Sequence, residues 1–340
     1  MTTDRASWRS DALGPARTLD LGAGRRIRAH VVPEVAGLAG DGGIRVVPDV
    51  TGEGPPVVFV HGVLVNANLW RKVVPLLDGR TRVALDLPLG SHIEPMPAGA
   101  DLTPSALADL IADALAALEL EDVTIVGNDT GGGLTQILAT RRPERIGRVA
   151  LTSCDAFDNF PPKLFRYVLA PARVPGAMPV AFGAMRARRL RRLPIAYGWL
   201  SNEPPEPQAD DSYVLPALTN GGVRRDLRKV LSGLDPRYTL DAAAKLAGFD
   251  KPVLIAWSAD DRFFPPAHAE RLAKLIPNAR LEWIEGARTF SPEDAPERLA
   301  KVLPNARLEW IEGARTFSAE DRPERLAELI GGFAREPARA

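Results

Sequence analysis

The sequence has a single cysteine, Cys154, in 340 residues. One thiol excludes an intramolecular disulfide framework and fits a reducing compartment. Cys154 itself reads as a small buried residue. No Cys/His spacing suggests a zinc site. Net charge is also absent, 43 basic residues standing against 43 acidic ones. The basic excess of a general nucleic-acid binder is therefore missing. No run of about 18 uncharged apolar residues occurs, so no membrane span is expected. Met1–Arg9 lacks the apolar core of a secretory signal, and a cytoplasmic location is expected. No Lys-Ser/Thr pair follows the glycines of a phosphate loop. Gly22-Ala23-Gly24 lacks the third glycine of a dinucleotide loop and opens no helix, so no cofactor is expected. Histidine is scarce: His30, His61, His92 and His268, with none further on.

What is present is ordinary globular material, 45% apolar and 25% charged. A chain of this length buries a sizeable core without staples. Residues 1–16 are expected to be a mobile tail. Strand-like segments follow at 27–32 and 44–47. Val31–Gly37 and Val46–Gly52 resemble each other, as a small duplication or as two similar edge strands. From residue 56 the pattern changes. Val57–Val60, Val83–Leu85, Val123–Val126 and Val149–Leu151 are continuous apolar runs, as in strands buried on both faces of a parallel sheet. A helix begins at Thr103-Pro104, a capping residue followed by proline in the first turn. Leu107, Leu110, Ile111, Ala114, Leu115 and Leu118 then keep the helical period. Such alternation predicts a doubly wound, mostly parallel α/β sheet. Residues 156–245 break the rhythm with prolines, all four tyrosines and an arginine cluster, and alternation resumes at Pro252–Trp257. The expected organisation is a core in two parts, 17–155 and 246–340, with a helical lid at 156–245.

The end of the chain holds a tandem repeat. Residues 277–300 and 304–327 match at 22 of 24 positions, with a period of 27. Each copy reads as one strand, one loop and one helix start. Two copies are too few for a solenoid. The expected reading is a duplicated final strand and helix, with one copy in the native slot.

The segment richest in chemical potential is Gly127-Asn128-Asp129-Thr130-Gly131-Gly132, after a buried strand and before a helix. A sharp strand-to-helix turn lifts its central side chain above the sheet edge, and flanking glycines relieve the crowding. The Thr130 N–H would point into the same space at a helix N-terminus. Asp129 also suits a plain helix N-cap.

These segments together resemble the α/β-hydrolase superfamily, in its aspartate-nucleophile branch of haloalkane dehalogenases and epoxide hydrolases. The resemblance spans roughly 43–155 and 246–300. It rests on His61-Gly62, Asp86–Ser91, Gly127–Gly131 and Trp257–Arg262. It implies an α/β-hydrolase fold with a helical cap inserted after the sixth strand. It implies that Asp129 attacks an electrophilic carbon and forms an alkyl ester. Asp261, or alternatively Asp155, would be the acid that orients a histidine. Backbone N–H groups at Val63 and Thr130 would form the oxyanion hole. Tyr167, Tyr197 and Tyr213 are candidates for substrate contact. The implied substrate is a small, fairly apolar molecule; no nucleic acid is expected and the oligomeric state is left open. The sequence departs from the pattern at the histidine: Thr289 and Thr316 stand at its place in the two repeat copies. The residue after the nucleophile is threonine rather than the dehalogenases' tryptophan, and Val63-Leu64 replaces the epoxide hydrolases' x-Pro. The alternative reading is therefore a catalytically impaired protein that binds a ligand or partner. His92 is a candidate substitute base. The cluster Arg186, Arg188, Arg189, Arg191 and Arg192 reads as a solvated or salt-bridged face, with an anionic-substrate or membrane-surface role as the other option.

Overall fold

The computed structural model describes residues 8–32, 34–38, 44–48, 55–77, 81–174, 176–194, 196–201, 205–258, 261–284 and 323–334. A 3₁₀ turn at Asp11–Leu13 leads into the antiparallel pair β1 (Ala16–Asp20) and β2 (Arg26–Val32). β3 (Glu34–Leu38) and β4 (Ile44–Pro48) form a separate antiparallel ribbon. They carry the two similar segments, which pair with one another, Val35 opposite Val47. Alternation then begins with β5 (Val57–Val60), β6 (Arg82–Asp86), α1 (Pro104–Ala117), β7 (Val123–Asp129), α2 (Thr130–Arg141) and β8 (Ile146–Cys154). Helices follow: α3 (Arg166–Arg173), α4 (Ala177–Gly183), α5 (Arg188–Arg191), α6 (Pro207–Thr219), α7 (Gly221–Gly233) and α8 (Pro236–Leu246). The chain returns to the sheet with β9 (Val253–Ser258), α9 (Pro266–Leu275) and β10 (Ala279–Ile284), and α10 spans Pro323–Ala334.

The main sheet runs β1-β2-β6-β5-β7-β8-β9-β10, antiparallel at its first two pairings and parallel from β6 onward. The sixth strand of this sheet is β8, and the block of helices follows it. β5 through β9 are buried along their whole length, which is why their sequences are apolar without alternation. α1 starts where its signals put it: the Thr103 hydroxyl accepts from the Ala106 N–H, with Pro104 in the first turn. Strand order reverses at β5, whose neighbours are β6 on one side and β7 on the other. The carboxyl edge at such a reversal is the usual crevice for a ligand in an open α/β sheet.

One expectation needs correction. Residues 8–16 are not a loose tail. Arg9 is buried, with its Nη2 2.7 Å from the buried Asp86 carboxylate and 3.0 Å from the Ser91 carbonyl. A buried carboxylate needs a partner, and the chain start supplies it. β1 then joins the sheet edge. Each repeat copy supplies an element among the described residues. The first copy supplies β10, which lies parallel to β9. The second supplies the start of α10, whose Leu326, Ala327 and Ile330 are buried in the core. Thr289 and Thr316 lie outside the described residues, as does the segment joining these two elements.

Candidate active site

β7 ends and α2 begins at Asp129, which turns the chain with φ 55° and ψ −132°. A non-glycine residue at positive φ carries strain of about 1–3 kcal/mol. The neighbouring glycines permit the turn. A Cβ on Gly131 would meet the carbonyl oxygens of Val60 and His61, and one on Gly132 would meet Cys154. The elbow is thereby pressed against the ends of β5 and β8.

The Asp129 carboxylate is almost wholly buried. Its Oδ1 accepts from the Thr130 N–H at 2.7 Å, with the Thr130 hydroxyl at 3.4 Å. Its Oδ2 lies against Gly62, where a Cβ would come within 2.5 Å. The residue after His61 therefore has to lack a side chain for Asp129 to sit here. Asp129 does cap its own helix, as one reading had it, but the same carboxylate also lines a cavity of about 260 Å³.

Two further acids gather around it. Asp155 follows β8 and donates its backbone N–H to the Asp129 carbonyl at 3.3 Å. Asp261 follows β9, its Oδ1 accepting from the N–H groups of Phe263 and Phe264 at 2.8 and 3.0 Å. Burial pushes the Asp129 carboxyl up to about 7, against the pull of the Thr130 N–H and helped by the charge of Asp261. Asp155 is driven well above the carboxylate range by burial and by the Asp129 charge, with the Thr130 hydroxyl opposing. At neutral pH Asp129 is thus only partly ionised. Among the described residues no group of three or more acidic, histidine or cysteine side chains is arranged to hold a metal ion.

Val63, Leu64 and Thr130 line the cavity beside Asp129. The rest of the wall comes from the helices between β8 and β9, including Phe165, Phe182, Met185, Leu193 and Leu231. Tyr167 and Tyr197 line it as well. The Tyr197 hydroxyl donates to the Leu64 carbonyl at 2.7 Å, tying the helices to the loop after β5. Tyr213, expected to touch substrate, is fully buried and is not part of the wall. α6 turns this stretch toward the core loops: Ser91 donates to the Tyr213 carbonyl, and Asn66 and Asn68 donate to the Ser212 hydroxyl.

None of the described histidines lines the cavity. His61 is fully buried and its pKa is pushed down to about 4. Its Nε2 accepts from the Leu87 N–H at 2.9 Å, so Nδ1 carries the proton and donates to the Gly62 carbonyl at 2.8 Å. It is a neutral strut between the loops after β5 and β6. His92 is not available as a base either. Its Nε2 lies 3.3 Å from Asp226 on α7, and its Nδ1 faces the Gly90 N–H. His30 bonds the Gly14 carbonyl, and His268 packs edge-on against Phe157. Of the arginine cluster, Arg191 is buried against Asp210 and Asp211, and Arg188 pairs with Asp211.

The sequence reading did not anticipate the Gly62 contact, the Tyr197–Leu64 link or the identity of the apolar wall. A glycine directly after the β5 loop histidine was the one local signal for the first.

An acid on a strand-to-helix elbow, over a parallel sheet and facing a cavity, defines the class. The chain belongs to the alpha/beta hydrolase family, whose model matches residues 57–302. Among its relatives, the non-heme chloroperoxidase CPO-A1 of Kitasatospora aureofaciens is 30% identical over 248 residues, 69% of this chain and 85% of that one. An uncharacterized protein of Mycobacterium tuberculosis is 28% identical over 268 residues, 72% of this chain and 73% of its own. Among solved structures, the haloalkane dehalogenase DatA of Agrobacterium tumefaciens C58 superposes with a TM-score of 0.66 at 20% identity, covering 96% of this chain and 98% of that one. That likeness is one of fold.

Proposed function

We propose that the protein uses Asp129 as a nucleophile toward an sp3 electrophilic carbon in a small, mostly apolar substrate. The observation that carries this reading is a strained, almost fully buried carboxylate with one oxygen fixed by a backbone N–H, on the wall of an apolar cavity. Helices α3–α7 act as the cap over the site, while α8 packs on the core helices α2 and α9.

Attack would come from Oδ2. The carbon–oxygen bond of an epoxide, or the carbon–halogen bond of an alkyl halide, breaks as the ester bond forms. Oδ1 then becomes the ester carbonyl oxygen, already held by the Thr130 N–H where negative charge would develop on hydrolysis. An epoxide also needs a proton for its departing alkoxide. Tyr167 and Tyr197 line the cavity and burial raises both phenols; with the Tyr197 hydroxyl donating to the Leu64 carbonyl, Tyr167 is the candidate proton source. This favours an epoxide-like electrophile over a halide. Val63 and Thr130 bring no indole or amide side chain that would bind a halide.

The weak step is ester hydrolysis. It calls for a base oriented by Asp261 or Asp155, and a threonine hydroxyl at 289 or 316 is no base near pH 7. The ester is therefore expected to accumulate. Intact-mass spectrometry after incubation with epoxide and haloalkane panels tests this. The wild type should carry a stable adduct that Asp129→Asn lacks. No adduct and no turnover with any member would overturn the nucleophile role.

A second reading, a binding protein without chemistry, is favoured by the absence of histidine from the cavity wall among the described residues. It predicts ligand-induced thermal stabilisation that is unchanged in Asp129→Asn, with no adduct in either protein.

A further inference from the structure

The chain is neutral overall, yet its charge is not evenly spread. Between Asp158 and Glu203 there is no acidic residue, while this stretch holds the arginine cluster together with Lys163, Arg166 and Arg173. α6 supplies the nearest compensation: Asp210 and Asp211 take up Arg188 and Arg191. Arg173, Arg186, Arg189 and Arg192 are exposed and form no ion pair with a described residue.

The same stretch exposes large apolar side chains. Val180 on α4 is 82% exposed, Val174 just after α3 is exposed, and Leu193 after α5 is 42% exposed. These elements are neighbours, α3 packing on α4 and the turn after α4 packing on α5. Leu193 and the 44% exposed Tyr167 also line the cavity, so the apolar patch borders its mouth. Scattered exposed hydrophobics are unremarkable in isolation. Here they coincide with a local excess of unpaired arginine and with the opening of an apolar chamber.

We propose that this face docks on an anionic phospholipid bilayer, and that the cavity draws its apolar substrate from the lipid. Arginines are attracted to the negative surface while the valines and leucine enter the headgroup boundary. The contact is peripheral; among the described residues no helix is long and apolar enough to cross a membrane. The source of the substrate rests on the proposed function, but the docking does not.

Cosedimentation of the full chain with sucrose-loaded vesicles tests the docking. Binding to phosphatidylglycerol-rich vesicles should exceed binding to pure phosphatidylcholine and should fall with added salt. Each unpaired arginine contributes about fivefold to such binding. Arg189→Gln with Arg192→Gln should therefore weaken it on the order of 25-fold. Val180→Asp, at an exposed position, should weaken it as well. Asp129→Asn should bind vesicles like wild type, which separates failure of docking from failure of the chemistry. Equal binding to both vesicle types, no binding to either, or unchanged binding by the arginine variant overturns the proposal. So does a concentration-dependent dimer that Val180→Asp abolishes while vesicle binding is unaffected, since the patch then covers a second copy.

Discussion

Replacing Asp129 by asparagine should stabilise the fold, by an amount that grows as pH rises from about 4 to about 7. Asparagine keeps the shape and can still accept from the Thr130 N–H, but it carries no charge. Burial raises the Asp129 carboxyl from about 3.8 to about 7. Between those values the folded chain holds a proton that the unfolded chain has released. The stability this confers is complete below about pH 4 and is lost as pH rises through about 7. A shift of about three units corresponds to about 4 kcal/mol, the amount by which the ionised carboxylate disfavours the folded state above that range. With an unfolding entropy of about 0.7 kcal/mol/K for a chain of this length, the gain is about 6 °C. Differential scanning calorimetry of both proteins near pH 4.5 and near pH 8.5 measures it. Asp129→Asn should melt several degrees above wild type at the higher pH and close to it at the lower. A melting difference that does not change with pH would refute the claim that Asp129 is a desolvated, titrating group.

Other perturbations probe the surrounding parts. Gly62→Ala puts a methyl group against Asp129 Oδ2, and adduct formation, followed by mass spectrometry over time, should slow by about 100-fold. Thr289→His and Thr316→His, made separately, should convert adduct accumulation into turnover in one of the two; a recruited base should speed ester loss by about 100-fold or more in a single-turnover assay. His92→Ala leaves Asp226 with Arg225 and the Met96 N–H. It should cost about 2 kcal/mol in urea unfolding while adduct formation keeps its rate.

The legible parts of this chain are those whose signals are local. Val57–Val60 and Val123–Val126 announced buried parallel strands, and the Gly127–Gly131 pattern located the elbow, because each needs only a few adjacent residues. Thr103-Pro104 fixed the start of α1 for the same reason. β1 was missed because Ala16–Asp20 is an edge strand in which only Leu19 is buried, so its sequence carries no apolar run. The Arg9–Asp86 bond joins residues 77 positions apart, and nothing near Arg9 marks it as buried. The tyrosines show the same limit. Composition gathered them into one block, but α6 turns Tyr213 into the protein while Tyr197 meets the cavity and Leu64. Which side chains meet across the block between β8 and β9 depends on helix orientation, which periodicity alone does not set.

Peptide mapping after exposure to a reactive epoxide tests the nucleophile assignment most directly. The account predicts that the added mass resides on Asp129, and that it disappears in Asp129→Asn. Label found instead on Asp155, on Asp261 or on the Cys154 thiol, or label that persists in Asp129→Asn, would contradict it.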